Sequence, residues 1–180
     1  MKRDGAMAVN PPLQTARLDL EPLVRGHARA YFDGMRDPAM YTYYAGEPLL
    51  SIEAAGERIA RWESRRSPDG SALWLNWMAR IRGGAYIGWF QATVTGTQAL
   101  IGYDVFVPHQ RRGFGREGTA AMFEYLTGAL RVERIDATVD TENIASIKLL
   151  ESVGFSKVEE RASDDLPGRR DFLYRVSVGP

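Results

Sequence analysis

Val107-Pro108-His109-Gln110-Arg111-Arg112-Gly113-Phe114-Gly115-Arg116-Glu117-Gly118 is the stretch that decides the fold. A strand-like apolar run ends at Val107, a glycine-rich turn follows, and a helical pattern starts near Gly115. Glycines let a backbone approach a ligand closely and adopt positive φ. The unpaired amides of a helix start, lying at the positive end of its dipole, make an anion site. Arg111, Arg112 and Arg116 add positive charge where phosphates would sit. The bland alternative is an ordinary tight turn before a helix.

Two ligand classes compete for this loop. Gly113 to Gly118 matches GxGxxG, the dinucleotide fingerprint, and Glu133 supplies an acid about 20 residues beyond Gly113. That fingerprint belongs directly after a strand in a parallel βαβ unit, whereas five residues separate Val107 from Gly113. The same residues also spell Gln-x-x-Gly-x-Gly, from Gln110 to Gly115.

Upstream of the loop, three strand-like runs, residues 72–81, 86–95 and 98–107, are joined by Gly83-Gly84 and Gly96-Thr97. Short glycine-containing links between apolar runs predict an antiparallel meander. Arg17-Leu18-Asp19-Leu20-Glu21 alternates as a strand with one wet face. Helices are predicted over residues 27–36, ended by Asp37-Pro38, and from the N-cap Ser51 to about Arg65. Residues 1–14 read as a loose, flexible arm ahead of a single domain over 15–180. Downstream, a helix over 115–130, a strand over 134–139 and a helix over 143–153 are predicted, the last stopping at Gly154. A final strand pair surrounds Leu166-Pro167-Gly168. The sum is a mixed α/β sandwich.

Composition narrows the function. Of 180 residues, 44% are hydrophobic and 26% charged, as in globular proteins. Lys+Arg and Asp+Glu both number 23, so no whole-molecule positive field draws in nucleic acid. No run reaches the roughly 18 apolar residues of a membrane span, and no signal-like segment follows Met1, so a cytoplasmic location is expected. The absence of cysteine excludes a cysteine acyl-enzyme, and His27 and His109 have no metal-like neighbours, so no metal is expected. No serine sits in G-x-S-x-G, which argues against covalent catalysis.

With these motifs in view, the chain resembles the GNAT superfamily of N-acetyltransferases, whose acyl-CoA signature is Q/R-x-x-G-x-G/A between a central strand and a helix. Thr15 to Leu20 is similar to the first strand of its RimJ/RimL-like branch, and Ile101 to Pro108 to its fourth. Asn143-Ile144-Ala145-Ser146 and Leu149 to Phe155 resemble that branch's N-x-x-S…E-x-x-GF segment. The resemblance implies a sandwich built on a mostly antiparallel mixed sheet of six to seven strands with about four helices. It implies acetyl or other short acyl transfer from acyl-CoA to a primary amine, on a protein N-terminus or a small molecule. By resemblance, the amides of Arg112, Gly113, Phe114 and Gly115, with Arg116 nearby, bind the CoA pyrophosphate. The backbone of Val105, Phe106 and Val107 pairs with pantetheine, Asn143 contacts the same arm, and Ser146 lies near the thioester. Asn143 also reads as a plain helix cap, and Ser146 as a surface serine. Many members carry a tyrosine before the Glu of that last segment as general acid; here Leu150 stands there, so Ser146 or water becomes the proton donor.

Asp104 occupies a strand position where many members place a carboxylate. It shares a strand face with Phe106, opposite Tyr103 and Val105. If that face meets the acceptor, Asp104 is the general base; if it meets only helices, it is a paired structural carboxylate. His109 lies at the phosphate end and reads as a surface residue. The aromatic candidates for the acceptor pocket are Tyr41, Tyr43, Tyr44, Trp74, Trp77 and Trp89, with the Tyr41–Tyr44 loop foremost because binding residues concentrate in loops. A homodimer is compatible with the sequence. Two rivals from other classes remain, a dinucleotide-dependent oxidoreductase and a non-catalytic acyl-CoA sensor.

Overall fold

Leu18 and Leu20 are fully buried while Asp19 and Glu21 keep some exposure, so the alternation at the start of the domain does form a strand with two unlike faces. The computed structural model describes residues 9–43 and 45–179. Their strands are β1 (Leu13–Gln14), β2 (Leu18–Pro22), β3 (Leu73–Ile81), β4 (Tyr86–Thr95), β5 (Gln98–Val105), β6 (Arg134–Asp140), β7 (Ser156–Ala162) and β8 (Arg170–Ser177). The α-helices are α1 (Ala28–Met35), α2 (Ile52–Glu63), α3 (Phe114–Gly128) and α4 (Ile144–Ser152). All eight strands of the described residues join one sheet in the order β1-β2-β3-β4-β5-β6-β8-β7.

The predicted meander is present: β2, β3, β4 and β5 are antiparallel neighbours. The sheet has one strand more than expected, because β1 pairs with β2 inside the segment read as a loose arm. From residue 9 onward that arm is packed. Asn10 is buried and its Nδ2 donates to Asn76 O at 2.9 Å, while Pro11 O accepts from Trp77 Nε1 at 2.7 Å. Residues 1–8 lie outside the described residues. β5 also ends two residues early, at Val105, because Val107–His109 is a single 3-10 turn with Pro108 inside it.

The sheet divides two cores. Leu75, Trp77, Phe90, Met122 and Leu126 lie on the face under α3 and α4, and Tyr31, Met35, Ile59, Met78 and Trp89 on the face under α1 and α2. Each fully buried side chain of this size contributes about 1.5–3 kcal/mol. On the first face α3 lies so close to β4 that a Cβ on Gly118 would meet the Phe90 ring at 2.3 Å.

The decisive irregularity lies between β5 and β6. These strands are parallel but pair only over Gln98–Leu100 and Arg134–Asp136. β5 stays bonded to β4 as far as Val105, and β6 to β8 as far as Asp140. Beyond residues 100 and 136 the sheet therefore opens into a gap.

This pairing also corrects the argument over GxGxxG. β5–α3–β6 is a parallel strand–helix–strand unit, so that context is present locally. What fails is the acid. Glu133 donates its N–H to Thr97 O just before β5 begins, whereas Gly113 follows the other end of that strand. Eight residues of strand at ~3.3 Å each put about 25 Å between those levels.

Candidate active site

Gly113 takes φ 80°, a left-handed conformation that favours glycine, and caps α3. The first bond of the helix runs from Glu117 N to Gly113 O, which leaves the earlier amides of the turn outside the helical ladder. Gly115 is needed for closeness: a Cβ there would meet Leu149 Cδ1 at 2.7 Å and Val105 Cγ2 at 3.5 Å. Gln110 Nε2 donates to Val105 O at 2.9 Å and pins the loop to the end of β5. Arg111, at φ 62°, holds a conformation unusual for a side-chain-bearing residue. Arg111, Arg112 and Arg116 are all exposed around this turn.

Arg17, which the sequence reading did not single out, supports the loop from β2's side. Its Nε meets Glu117 Oε2 at 2.6 Å, its Nη1 donates to Arg112 O at 3.1 Å, and its guanidinium lies 4.5 Å from the Phe114 ring centre. Glu117, held by Arg17 and Thr15, sits below the carboxylate's ordinary range despite an opposing burial effect. The cradle thus has a glycine floor, unpaired amides and an arginine rim, and its donors suit a pyrophosphate.

From this loop the gap runs along β5. Phe106 N donates to Ile87 O at 2.8 Å, so by strand alternation the main chain of Asp104 faces β4 and that of Tyr103 and Val105 faces the gap. The expected trio is thereby revised. Val105 faces the gap, but Phe106 spends its N–H on Ile87 and its carbonyl on His109 N, and Val107 has entered the 3-10 turn. Tyr103 was missed, although the period of two counted from Asp104 carried the signal.

Asn143 Oδ1 accepts from Ser146 N at 3.1 Å, so Asn143 does cap α4. Ser146 is half-buried, and its Oγ lies 2.7 Å from Tyr103 Oη across the gap. Burial pushes the Tyr103 hydroxyl up to about 12, which keeps it protonated. Leu150 is core, 1% exposed.

Asp104 is on the opposite face, under α1 and α2, directly across from Trp89 on β4. Burial pushes its carboxyl up to about 6, and the Trp89 indole N–H beside it acts in the other direction. The Tyr31 hydroxyl lies among Arg58, Asp104 and Tyr41, with burial raising it to about 12. Trp89 also stacks on Trp62 at 5.0 Å and meets Tyr31 edge-on at 5.9 Å, so its ring is mostly packing. Trp77 is wholly buried and Trp74 lies partly buried along β3, at the pair with Thr93.

Across the gap, at the level of Asp104, Asp140 is buried and bound by Arg169 Nε at 2.6 Å. The same guanidinium reaches Glu142 at 2.7 Å and Thr42 O at 3.3 Å, and lies 5.7 Å from the Tyr43 ring centre. Arg169 thereby ties the loop of Tyr41 and Tyr43 to the turn that starts α4. Nothing in the sequence near Arg169 announced this role. Tyr44 lies outside the described residues. His109 is half-buried against an open cavity of ≈ 780 Å³ beside Gly34, Tyr86 and Phe106, and burial lowers its pKa.

A sheet that parts beside an amide cradle defines the class: an acyl-CoA-dependent acyltransferase sandwich. Residues 17–156 match the model of the acetyltransferase (GNAT) domain, and the chain belongs to that family. It is 31% identical over 155 residues to the uncharacterised N-acetyltransferase YoaA of Bacillus subtilis, covering 82% of this chain and 84% of that protein. A structure of RimL, a ribosomal L7/L12 α-N-protein acetyltransferase in complex with coenzyme A, superposes with TM-score 0.82 at 14% identity, over 93% of this chain and 98% of that one. The spermidine N-acetyltransferase of Vibrio cholerae, in complex with CoA and spermine, gives 0.75 at 18% identity, over 91% and 96%. The chain is thus an N-acetyltransferase that uses acyl-CoA.

Proposed function

We propose that the acceptor nitrogen attacks the thioester carbonyl directly in a ternary complex, and that the acceptor is the α-amine of a peptide or protein N-terminus. The observation that carries this is the gap itself, with the Gly113 cradle at its end, Ser146 on one face and Asp104 on the other. Acetyl-CoA supplies the activated acyl group. The Gly113, Phe114 and Gly115 amides, with Arg112 and Arg116, hold its phosphates, while the gap-facing backbone at Val105 and the cap residue Asn143 hold the pantetheine arm. Asp104 takes the proton that the amine must lose. Ser146, oriented by the Tyr103 hydroxyl, donates a hydrogen bond to the departing thiolate. A thiol that titrates near ~8.5 needs no stronger acid.

The raised Asp104 carboxyl also favours one acceptor class. An α-ammonium titrates near ~8 and a lysine-like ammonium near ~10.4, so transfer to a carboxylate at about 6 is uphill by ~3 kcal/mol for the first and ~6 kcal/mol for the second. Among relatives, RimL is described as an α-N-protein enzyme and the Vibrio cholerae protein as a spermidine enzyme. The proton balance sides with the former. Tyr41 and Tyr43 form the near wall of the acceptor entrance.

Calorimetry with acetyl-CoA, CoA and NADH, on the protein and on Gly113→Glu, tests the first half. Binding of the CoA ligands alone, lost in the variant, is expected. An amine panel then tests turnover, with alaninamide expected to exceed spermidine in kcat/KM. Binding without turnover of any amine would refute the transferase role and leave an acyl-CoA sensor.

A further inference from the structure

α1 and α2 cover β3 and β4 on their face of the sheet and reach β5 only at its end, around Asp104. On β5 the side chains of Gln98, Leu100 and Asp104 share that face, with Gly102 between them. The register sets Arg134 beside Gln98 and Asp136 beside Leu100, then Leu173 beside Thr138 and Arg175 beside Asp136. Among the described residues nothing covers this part of the face. Leu100 is 50% exposed although it lies on a central strand. A groove of ≈ 420 Å³ runs here, lined among others by Thr93, Leu100, Thr138, Arg134, Arg161 and Arg175.

The charge in this groove is one-sided. Three guanidiniums line it against a single carboxylate, Asp136. Arg175 binds Asp136 through two bonds of 2.7 and 2.8 Å, which saturates that carboxylate's best geometry. Arg134 reaches Asp136 only at 3.7 Å and donates through Nη2 to Gln98 Oε1, while Arg161 reaches Asp164, whose side chain is 81% exposed, at 3.5 Å and donates through Nη2 to Thr138 Oγ1 at 3.5 Å. Among the described residues, Arg134 Nε and Arg161 Nε are buried without a hydrogen-bond partner. Both side chains are otherwise more than a third exposed, and neither has a carboxylate at close bonding distance, so an acidic ligand can add charge-assisted bonds to them.

The groove is in line with the reacting centre. Four residues of strand separate Leu100 from Asp104, about 13 Å at ~3.3 Å per residue. The floor between them is Gly102, over which lies the Gln91 side chain, its Nε2 2.8 Å from where a Cβ would stand. An extended peptide covers the same ~13 Å with about four residues.

We propose that this groove binds the acceptor's own chain: an extended, acidic peptide whose N-terminal amine lies at Asp104 and whose third to fifth residues carry carboxylates onto Arg134 and Arg161. This rests on the acceptor reading above and narrows it to acidic N-termini. Arg175 holds the floor through Asp136, and the threonine hydroxyls serve the peptide backbone.

The test compares three acceptors under saturating acetyl-CoA: alaninamide, and two hexapeptide amides with alanine first and either Glu or Lys at positions three to five. The Glu peptide is expected to exceed the Lys peptide by at least about tenfold in kcat/KM, the worth of one charge-assisted bond. The advantage is expected to shrink as NaCl is raised. Arg161→Glu, and separately Arg134→Gln, are expected to erase the preference while leaving alaninamide turnover unchanged. Equal rates for the two peptides, or a preference for Lys, would overturn the groove while alaninamide turnover keeps the acceptor reading alive. A variant that loses alaninamide turnover in step with the Glu peptide would also overturn it. If the unaltered protein acetylates neither alaninamide nor peptides, both readings fall together.

Discussion

Asp104→Asn removes a charge while keeping the volume, and the carboxyl's position under α1 and α2 sets two consequences of opposite sign. The folded carboxyl titrates at about 6 against an ordinary value of 3.8. Between those values the folded state binds more protons than the unfolded one, so this group's effect on stability is neutral below pH 4 and turns unfavourable as pH rises through 6. A shift of ~2 units corresponds to ~3 kcal/mol; partial exposure to solvent brings the expected gain for Asn to about 2 kcal/mol at pH 7. For a domain of this size that is a rise in Tm of roughly 4–8 °C. The gain is expected to shrink to about 0.5 kcal/mol at pH 4, where the folded carboxyl is neutral and the unfolded one only about half ionised. Activity should move the other way, with kcat/KM for alaninamide falling about 10²-fold or more, the usual worth of a general base. The acidic limb near pH 6 in the kcat/KM profile should disappear with it. Thermal melts at pH 4 and 7, paired with pH–rate profiles, read both effects. An Asn variant less stable than the parent at pH 7, or one that keeps the limb, would refute the reasoning.

Other substitutions probe the remaining walls. Gly115→Val is expected to abolish CoA binding by calorimetry, because its first carbon already meets Leu149 at 2.7 Å. Gly118→Ala pushes a methyl into the Phe90 ring and should cost about 1–3 kcal/mol in a denaturant melt. Arg169→Met strands Asp140, whose side chain is 1% exposed, and should cost at least ~3 kcal/mol, with Arg169→Lys retaining part of that stability. Tyr103→Phe leaves the Ser146 hydroxyl without its partner; an absorbance titration of bound CoA near the thiolate band should show a higher thiol pKa than in the parent.

Much of this protein was legible in order. Local signals were strong where one residue type serves one backbone demand. Gly113 answers a left-handed cap, Ser51 receives Ala54 N at 3.1 Å as a helix cap, and Gly83 and Gly96 turn the meander at positive φ. Alternation in β2 and β5 sorted side chains to faces, and it assigned Asp104 and Tyr103 to opposite sides. What alternation could not say was which face meets which helices, since that depends on how α1 and α3 cross the sheet. Arg169 was invisible for the same reason: its partners Thr42 and Asp140 lie 127 and 29 residues away in the chain.

The sequence by itself determined the glycine turn that opens α3, the order of elements and the family, because amide donors, glycine conformations and strand periods are local properties of the chain. Only the tertiary structure decided where the sheet parts. β5 and β6 share three residue pairs before diverging, and that divergence follows from their separate partners, β4 and β8. It decided as well that Asp104 is buried enough to titrate near neutrality, that Tyr103 meets Ser146, and that three arginines gather on a bare stretch of sheet. Each of these is a meeting of residues far apart in the chain, and the free energy that arranges them is the packing of the whole core.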